Sequence, residues 1–177
     1  MGAIKKIGDG ITLVNTKIND LASWVVYPLV LVVVYEVCMR YFLNSPTNWV
    51  YDATWILYAI YVFLGGAYGL HIGVHVKADI IYNMLPKKGQ IAFDIFSYIV
   101  FFFPVMIFMV YACFDYFMKS IQVMDRSNMT SWAPLLWPIK LVLLISMVML
   151  LLQGFVEFGN SAIKPLITKD FTKKEVE

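Results

Sequence analysis

The stretch that decides the fold is IFSYIVFFFPVMIFMVYACF, residues 95–114, which runs for 20 residues without a charged side chain. In a helix, about 20 consecutive apolar residues cross the hydrocarbon core of a bilayer. A second uncharged run, ATWILYAIYVFLGGAYGL, covers residues 53–70. Both runs therefore predict membrane-spanning helices.

The composition extends this prediction to the whole chain. Its 177 residues are 60% hydrophobic and 15% charged, whereas soluble domains are about 45–50% apolar. Two further apolar stretches are long enough to span a membrane, although each carries one or two charges. We therefore predict an all-α integral membrane protein with a single four-helix domain over residues 21–158, and with spans at about 21–43, 49–71, 91–117 and 134–157.

The flanks of these spans have different patterns. Residues 1–20 alternate apolar residues with Lys, Asn and Asp, which predicts a short helix in a cytoplasmic N-terminal segment that leads into the first span. Residues 159–177 are predicted to form a cytoplasmic tail. Between the second and third spans, apolar residues recur at helical spacing beside charged ones. This pattern is typical of a short amphipathic interfacial helix, here at about 76–85 and ended by Pro86.

The positive charges indicate the orientation of the spans. If the N-terminus is cytoplasmic, the inner side carries Lys5, Lys6, Lys17, Lys77, Lys87, Lys88, Lys164, Lys169, Lys173 and Lys174, and the outer side carries only Arg40, Lys119, Arg126 and Lys140. Lysine and arginine accumulate on the cytoplasmic side of bacterial membrane proteins. Both termini are therefore predicted to be cytoplasmic.

Both histidines of the chain lie in GLHIGVHVKAD, residues 69–79. His71, His75 and Asp79 fall at i, i+4 and i+8 and so share a helix face, which is a spacing that a metal or haem site uses. The other hypothesis is an elbow at the membrane surface, in which Asp79 pairs with His75 or caps the interfacial helix. We favour the elbow, because no other histidine is present on a facing helix and neither cysteine is near in sequence.

Glu36 lies inside the first span, where a carboxylate is a functional hypothesis by default. Arg40 follows at i+4, in the favourable order for a helical ion pair. A local ion pair that faces a protein neighbour is the interpretation we favour, and a proton-carrying glutamate is the alternative.

Other candidate residues lie at helix ends. Asn44 belongs to the turn after the first span, where Thr47 or Asn48 can cap the second, and Asp52 lies in the first turn of that second helix. Gly65 and Gly69 have the GxxxG spacing that lets membrane helices approach closely. The outer boundary is marked by tryptophans that include Trp49 and Trp137, and Pro134 lies near the start of the fourth span.

Several of these segments carry a resemblance to a known family. The segments are RYFLN (40–44), WVYD (49–52), GGAYGLHIGVHVKAD (65–79) with LPKKG after it, SWAPLLWPIK (131–140) and LLLQGF (150–155). In this order around four spans, the chain resembles the small membrane subunit, of Q type, of tripartite ATP-independent periplasmic (TRAP) transporters.

The resemblance implies a scaffold role. In this family the Q-type subunit accompanies a large M-type subunit, which carries the substrate and sodium sites and moves by an elevator mechanism. A periplasmic substrate-binding protein delivers an organic acid, and an ion gradient, usually of sodium, drives uptake. The resemblance therefore implies that this inner-membrane chain is not an enzyme and that it binds no substrate, sodium, other metal or cofactor itself. The expected partners are the M-type subunit, the binding protein and membrane lipids, but no nucleic acid.

Two other functions remain open from the residues alone. One is a four-helix redox anchor that binds haem or quinone, and the other is a small transporter that works by itself through Glu36. The sequence contains no nucleophile beside a base and no phosphate-binding loop.

The orientation is directly testable. A reporter enzyme that is active only in the periplasm, fused after Glu177, should give no signal because ten of the fourteen positive residues favour a cytoplasmic C-terminus. A strong reporter signal in whole cells would overturn the predicted topology.

Overall fold

The computed structural model describes residues 2–72 and 86–160, and it is helical at nearly all of these positions. Within these ranges, the β-type pairing is an isolated antiparallel bridge between Arg126 and Leu135. The elements in chain order are α1 (Gly2–Ser23), α2 (Val26–Tyr41), α3 (Val50–His71), α4 (Lys87–Phe96), a π-helix (Ser97–Phe102), α5 (Phe103–Val123) and α6 (Trp137–Phe158).

The helices confirm the predicted fold class. Four helical runs within the described ranges are long and apolar enough to cross a membrane: Lys6–Tyr41, Val50–His71, Gly89–Val123 and Trp137–Phe158. The third run continues six residues beyond the predicted end at residue 117. The interfacial helix predicted at 76–85 lies outside the described residues, as does nearly all of the predicted tail.

The first run is too long to be a single transmembrane helix. At 1.5 Å per residue its 36 residues extend about 54 Å, against about 30 Å for the hydrocarbon core. The helix is interrupted at Trp24 and Val25, where the chain turns before α2 begins. The short N-terminal helix predicted from the sequence is therefore α1, a 22-residue helix that is separate from the membrane-crossing α2.

Helices α3 and α6 form the centre of the bundle and run parallel to each other. Halfway along them, the Ser146 hydroxyl donates a hydrogen bond to the carbonyl oxygen of Phe63. Helix α2 packs against α3, α5 packs against α6, and α1 contacts both central helices. We call the end of the bundle near Asp52 the Asp52 end, and the opposite one the His71 end.

The π-helix Ser97–Phe102 has a local cause in the sequence. Pro104 has no amide hydrogen, and its ring crowds the carbonyl group four residues earlier, so a regular α-helix is disfavoured at this point. The chain instead takes the wider π turn, in which the Phe103 amide donates to the carbonyl oxygen of Tyr98. The helix therefore continues through the proline without a break in the apolar run.

The π-helix presents Phe102 to a notch in α6. A Cβ atom added to Gly154 would lie 2.1 Å from Cε1 of Phe102, so only glycine fits there without movement of the ring. The ring is held from behind by Tyr98 and Phe103, with centroids 5.3 Å and 5.6 Å away. Phe103 also stacks on Phe155 of α6 at 4.5 Å. This aromatic cluster joins the third spanning run to the centre of the bundle.

Replacing Gly154 should therefore destabilise the bundle. We expect Gly154→Ala to lower the apparent melting temperature in detergent, because overpacking a tight contact costs about 1–3 kcal/mol. Gly66→Ala is the matched control, since a Cβ atom there meets nothing within 4 Å. Removing the ring as well, with Phe102→Ala, should make the cost of Gly154→Ala smaller. Equal melting temperatures for the two single alanine variants would contradict the close contact.

Candidate functional site

Polar side chains of the described bundle gather at its two ends, and the sequence-predicted site residues fall into both groups. At the Asp52 end, Arg40 and Glu36 form the ion pair expected from their spacing, with Nη2 of Arg40 2.6 Å from Oε1 of Glu36. The Glu36 side chain is 13% exposed and the Arg40 side chain is 58% exposed. Arg40 therefore presents its guanidinium group on the surface while it neutralises a largely covered carboxylate.

The other oxygen of Glu36 holds the turn between α2 and α3. The Thr47 hydroxyl donates to Oε2 of Glu36, and so does the Thr47 amide at 3.3 Å. Asn44 takes a left-handed conformation (φ 50°), as suits a turn residue. The expected capping of α3 by Thr47 or Asn48 is wrong, because α3 has Trp49 at its N-cap and no side-chain capping bond. Thr47 satisfies the glutamate instead.

Asp52 connects α3 to the loop between α5 and α6. Its side chain is buried, and the Ser127 hydroxyl donates to Oδ1 at 2.7 Å while the Thr130 hydroxyl donates to Oδ2. The sequence indicated only the position of Asp52 in the first turn of α3, where its charge also suits the helix dipole. Its two partners lie 75 and 78 residues away, and no local pattern identifies them.

The loop that Asp52 binds has a fixed backbone. Met124 ends α5 in a left-handed conformation (φ 50°), with the hydrogen bonds of a Schellman motif from the amides of Met124 and Asp125. The Ser127 amide donates to the carbonyl oxygen of Pro134 at 2.9 Å, which pairs the two sides of the loop. Pro134 thus lies just before α6, and half-buried Trp137 is the first residue of that helix.

Lys140 closes the same end from α6. Its Nζ atom lies 2.6 Å from Oδ2 of Asp125 and 3.7 Å from the centroid of the Tyr116 ring. The ammonium group thus has a carboxylate partner and a cation–π contact, which compensate for its burial. A cavity of about 240 Å³ lies beside this cluster, and it is lined by Tyr51, Asp52, Trp55, Tyr116, Ser127, Asn128, Met129 and Leu136.

A second group of polar side chains occupies the His71 end. Gln153 of α6 is fully buried; its carbonyl oxygen accepts a hydrogen bond of 2.7 Å from the amide of Asn15 in α1. The Gln153 amide donates to Thr12 at 3.3 Å and to Glu157 at 3.1 Å. Glu157 in turn lies 3.1 Å from Nδ1 of His71, at the end of α3. One glutamine therefore connects α1 with the end of α6, and Glu157 extends the connection to α3.

The remaining predicted residues lie near these groups or outside the residues that the structure describes. Gly65 faces α1, because a Cβ atom there would lie 3.6 Å from Oδ1 of Asn19, while Gly69 is half-buried one helical turn later. Trp49 lies 6.0 Å from Tyr35, measured between ring centroids. His75 and Asp79 are outside the described residues. Within the described ranges, no group of three or more His, Cys, Asp or Glu side chains is arranged to hold a metal ion.

Sequence reasoning did not assign a role to Asn15, Lys140, Gln153 or Gly154. A long polar side chain inside an apolar helix is a signal, because it needs a partner in the membrane, and Gln153 in LLLQGF fits that description. The partner itself comes from a different helix and has no signature in the local sequence. The hydrogen bond between Asn15 and Gln153 and the contact between Gly154 and Phe102 could therefore be identified only from the structure.

Breaking the Asp52 contacts should loosen the loop between α5 and α6. Asp52→Ala leaves the hydroxyls of Ser127 and Thr130 without their acceptor, and removal of one partner from a buried hydrogen-bonded group costs about 1–3 kcal/mol. We expect a lower melting temperature and a lower yield of the assembled complex, with Asp52→Asn less affected because its amide oxygen still accepts. Asp9→Ala, which removes an exposed carboxylate on α1, is the control. Wild-type values for Asp52→Ala would show that the carboxylate merely begins a helix.

Comparison with known proteins agrees with the resemblance seen in the sequence. The model of the DctQ family, described as the DctQ component of tripartite ATP-independent periplasmic transporters, matches residues 29–162. No curated protein matches the chain. The matched region covers about three quarters of the chain, including α3 to α6 and most of α2. This multi-pass membrane protein therefore belongs to the DctQ family and is a component of a TRAP transporter.

Proposed function

We propose that this chain is the small scaffold subunit of its TRAP transporter, and that it supports a large M-type subunit without carrying substrate itself. The observation that carries the proposal is the pairing of the two carboxylates at the Asp52 end with side chains of this chain. Glu36 is bound by Arg40 and Thr47, and Asp52 is bound by two hydroxyls. Carboxylates that hold the chain together are suited to a rigid support rather than to a moving ion site.

The exposed surface of α2 favours the presence of a binding partner in the membrane. None of the 16 residues of α2 is buried in the isolated chain, although α2 packs along α3. Its outer faces carry large apolar side chains, among them Leu31, Tyr35 and Tyr41. Such a helix is suited to contact with lipid on one side and with a second membrane subunit on another.

The candidate residues take two kinds of role in this proposal. Within the chain, the structural residues are Glu36, Asn44, Asp52, Gly65, Gly69 and Pro134, together with His75 and Asp79 at the elbow predicted from the sequence. At the surface, Arg40, Trp49 and Trp137 are the candidates for contact with the M-type subunit or with lipid headgroups. Arg40 is the more exposed partner of its ion pair with Glu36, which already balances its charge.

The rest of the system follows from the family. We propose an inner-membrane complex in which both termini of this chain are cytoplasmic, the M-type subunit moves the substrate, and a periplasmic binding protein delivers it. The substrate class is an organic acid and the driving force is an ion gradient, with sodium as the expected ion. In this proposal the chain is not an enzyme and needs no cofactor.

The experiment that tests the scaffold role is a reconstitution with one component left out. Proteoliposomes with this chain, the M-type subunit and the binding protein should take up a radiolabelled carboxylic acid, from a panel, when a sodium gradient is imposed. This chain alone should give no uptake. The M-type subunit without this chain should give low uptake and a low yield of folded protein, because it lacks its support.

Two results would overturn the proposal. Uptake by this chain alone, lost in Glu36→Gln, would make it a transporter in its own right. Full uptake by the M-type subunit and binding protein without this chain would remove the scaffold role. A Soret absorption band in the purified chain would instead support the haem-binding alternative. In the structure, Nδ1 of His71 contacts Glu157.

A further inference from the structure

Helix α1 has three distinct faces along its length. Residues that recur at alternating steps of four and three lie on one side of a helix. One such set faces the bundle and consists of small or polar residues: Gly8, Thr12, Asn15, Asn19 and Ala22. A second set, one position earlier in register, is wholly apolar and consists of Ile7, Ile11, Val14, Ile18 and Leu21, which we call the apolar stripe. A third face, interrupted by Leu13, carries the exposed charged residues Lys6, Asp9, Lys17 and Asp20.

The bundle-facing set is fixed by contacts with α6 and α3. A Cβ atom on Gly8 would lie 3.4 Å from Val156, Asn15 binds Gln153, and Asn19 approaches Gly65. Ala22 is buried at 3% exposure. Helix α1 therefore crosses from α6 to α3 at the His71 end, and its rotation about its own axis is set by these contacts.

The described part of the bundle leaves most of the apolar stripe uncovered, since Ile11 and Ile18 are half-buried and the other three residues are exposed. Ile7, Val14 and Leu21 are 65%, 52% and 73% exposed, although they alternate with residues packed against α6 and α3. Five apolar residues in register over 15 positions form a continuous strip that needs an apolar environment. The charged face of the same helix needs water at the same depth.

These two requirements are met together only at the surface of the membrane. Gln153 lies five residues before the end of α6 and Gly65 lies six residues before the end of α3, which is about 7.5–9 Å along each helix. Amphipathic helices in the interface bury their apolar face about 5–10 Å into the boundary between headgroups and acyl chains. The level at which α1 meets the bundle is therefore the level that an interfacial helix occupies.

We propose that α1 is a lipid-binding helix that lies in the membrane surface at the His71 end, with its apolar stripe among acyl chains and its charged face in water. The hydrogen bond between Asn15 and Gln153 is the latch that fixes its rotation. Without the latch, the side-chain carbonyl oxygen of Gln153 would need another donor inside the apolar bundle. The occupant of the stripe is lipid, because a partner helix on the stripe would have to lie beside the charged face in the same narrow layer.

Site-directed spin labels on the full-length chain in liposomes of phosphatidylethanolamine and phosphatidylglycerol test this proposal. The native Cys38 and Cys113 are first replaced by alanine, and single cysteines are then placed at Val14 on the stripe and at Lys17 on the charged face. Collision with oxygen, which concentrates in lipid, should exceed collision with a water-soluble nickel chelate at residue 14. At residue 17 the order should reverse.

Each other outcome contradicts a stated part of the proposal. Shielding of residue 14 from both reagents would mean that protein, such as a second copy of this chain, covers the stripe. Access of the nickel chelate to residue 14 would mean that α1 lies in water. The variant Gln153→Met keeps the length of the side chain but not its hydrogen bonds, and it should reduce the difference between residues 14 and 17. An unchanged difference in that variant would show that the latch does not set the rotation.

Discussion

A hydrogen-bonding group inside a bilayer has no water to bind, and this constraint organises the described structure. Backbone groups are satisfied by helices, so the remaining polar side chains must find partners on neighbouring helices. Gln153 binds α1, Ser146 binds the backbone of α3, and Lys140 binds Asp125 in the loop just after α5. These contacts join helices that apolar packing alone would leave free to slide, because lipid chains are as apolar as the helix surfaces.

The consequence is a bundle that is fixed at its two ends and in the middle. The Asp52 end ties α3 to the loop before α6, and the His71 end ties α1 and α6 to the end of α3. Halfway between the ends, Ser146 binds the backbone of α3. Next to Gln153, the contact of Phe102 with Gly154 and the stacking of Phe103 on Phe155 hold the third spanning run. This rigidity suits the proposed role as a support, and α2 leaves a large apolar surface exposed in the isolated chain.

Much of this was predictable from the sequence, and the limit has a physical reason. Long uncharged runs determine spanning helices directly, and the Glu36–Arg40 pair follows from helical spacing, because both depend on local order along the chain. The partners of Asp52 and Gln153 come from segments 75 or more residues away, so only the packing of the helices brings them together. The N-terminal segment was predicted to be a helix, but its crossing of the bundle depends on contacts with α6 and α3 that no local pattern contains.

The π-helix also constrains which sequence changes this segment can accept. A π turn closes over one more residue than an α turn, so the segment Ser97–Phe102 behaves as a one-residue insertion that the helix has absorbed. Each residue in a helix turns its successors by about 100°, and the faces of α4 and α5 are therefore out of phase by that amount. A relative that lacked both Pro104 and one residue of this segment would regain a continuous α-helix. Its aromatic side chains would then have to be redistributed around that helix to reach the surface of α6 at Gly154. Pro104, the extra residue and Gly154 are therefore expected to be gained or lost together.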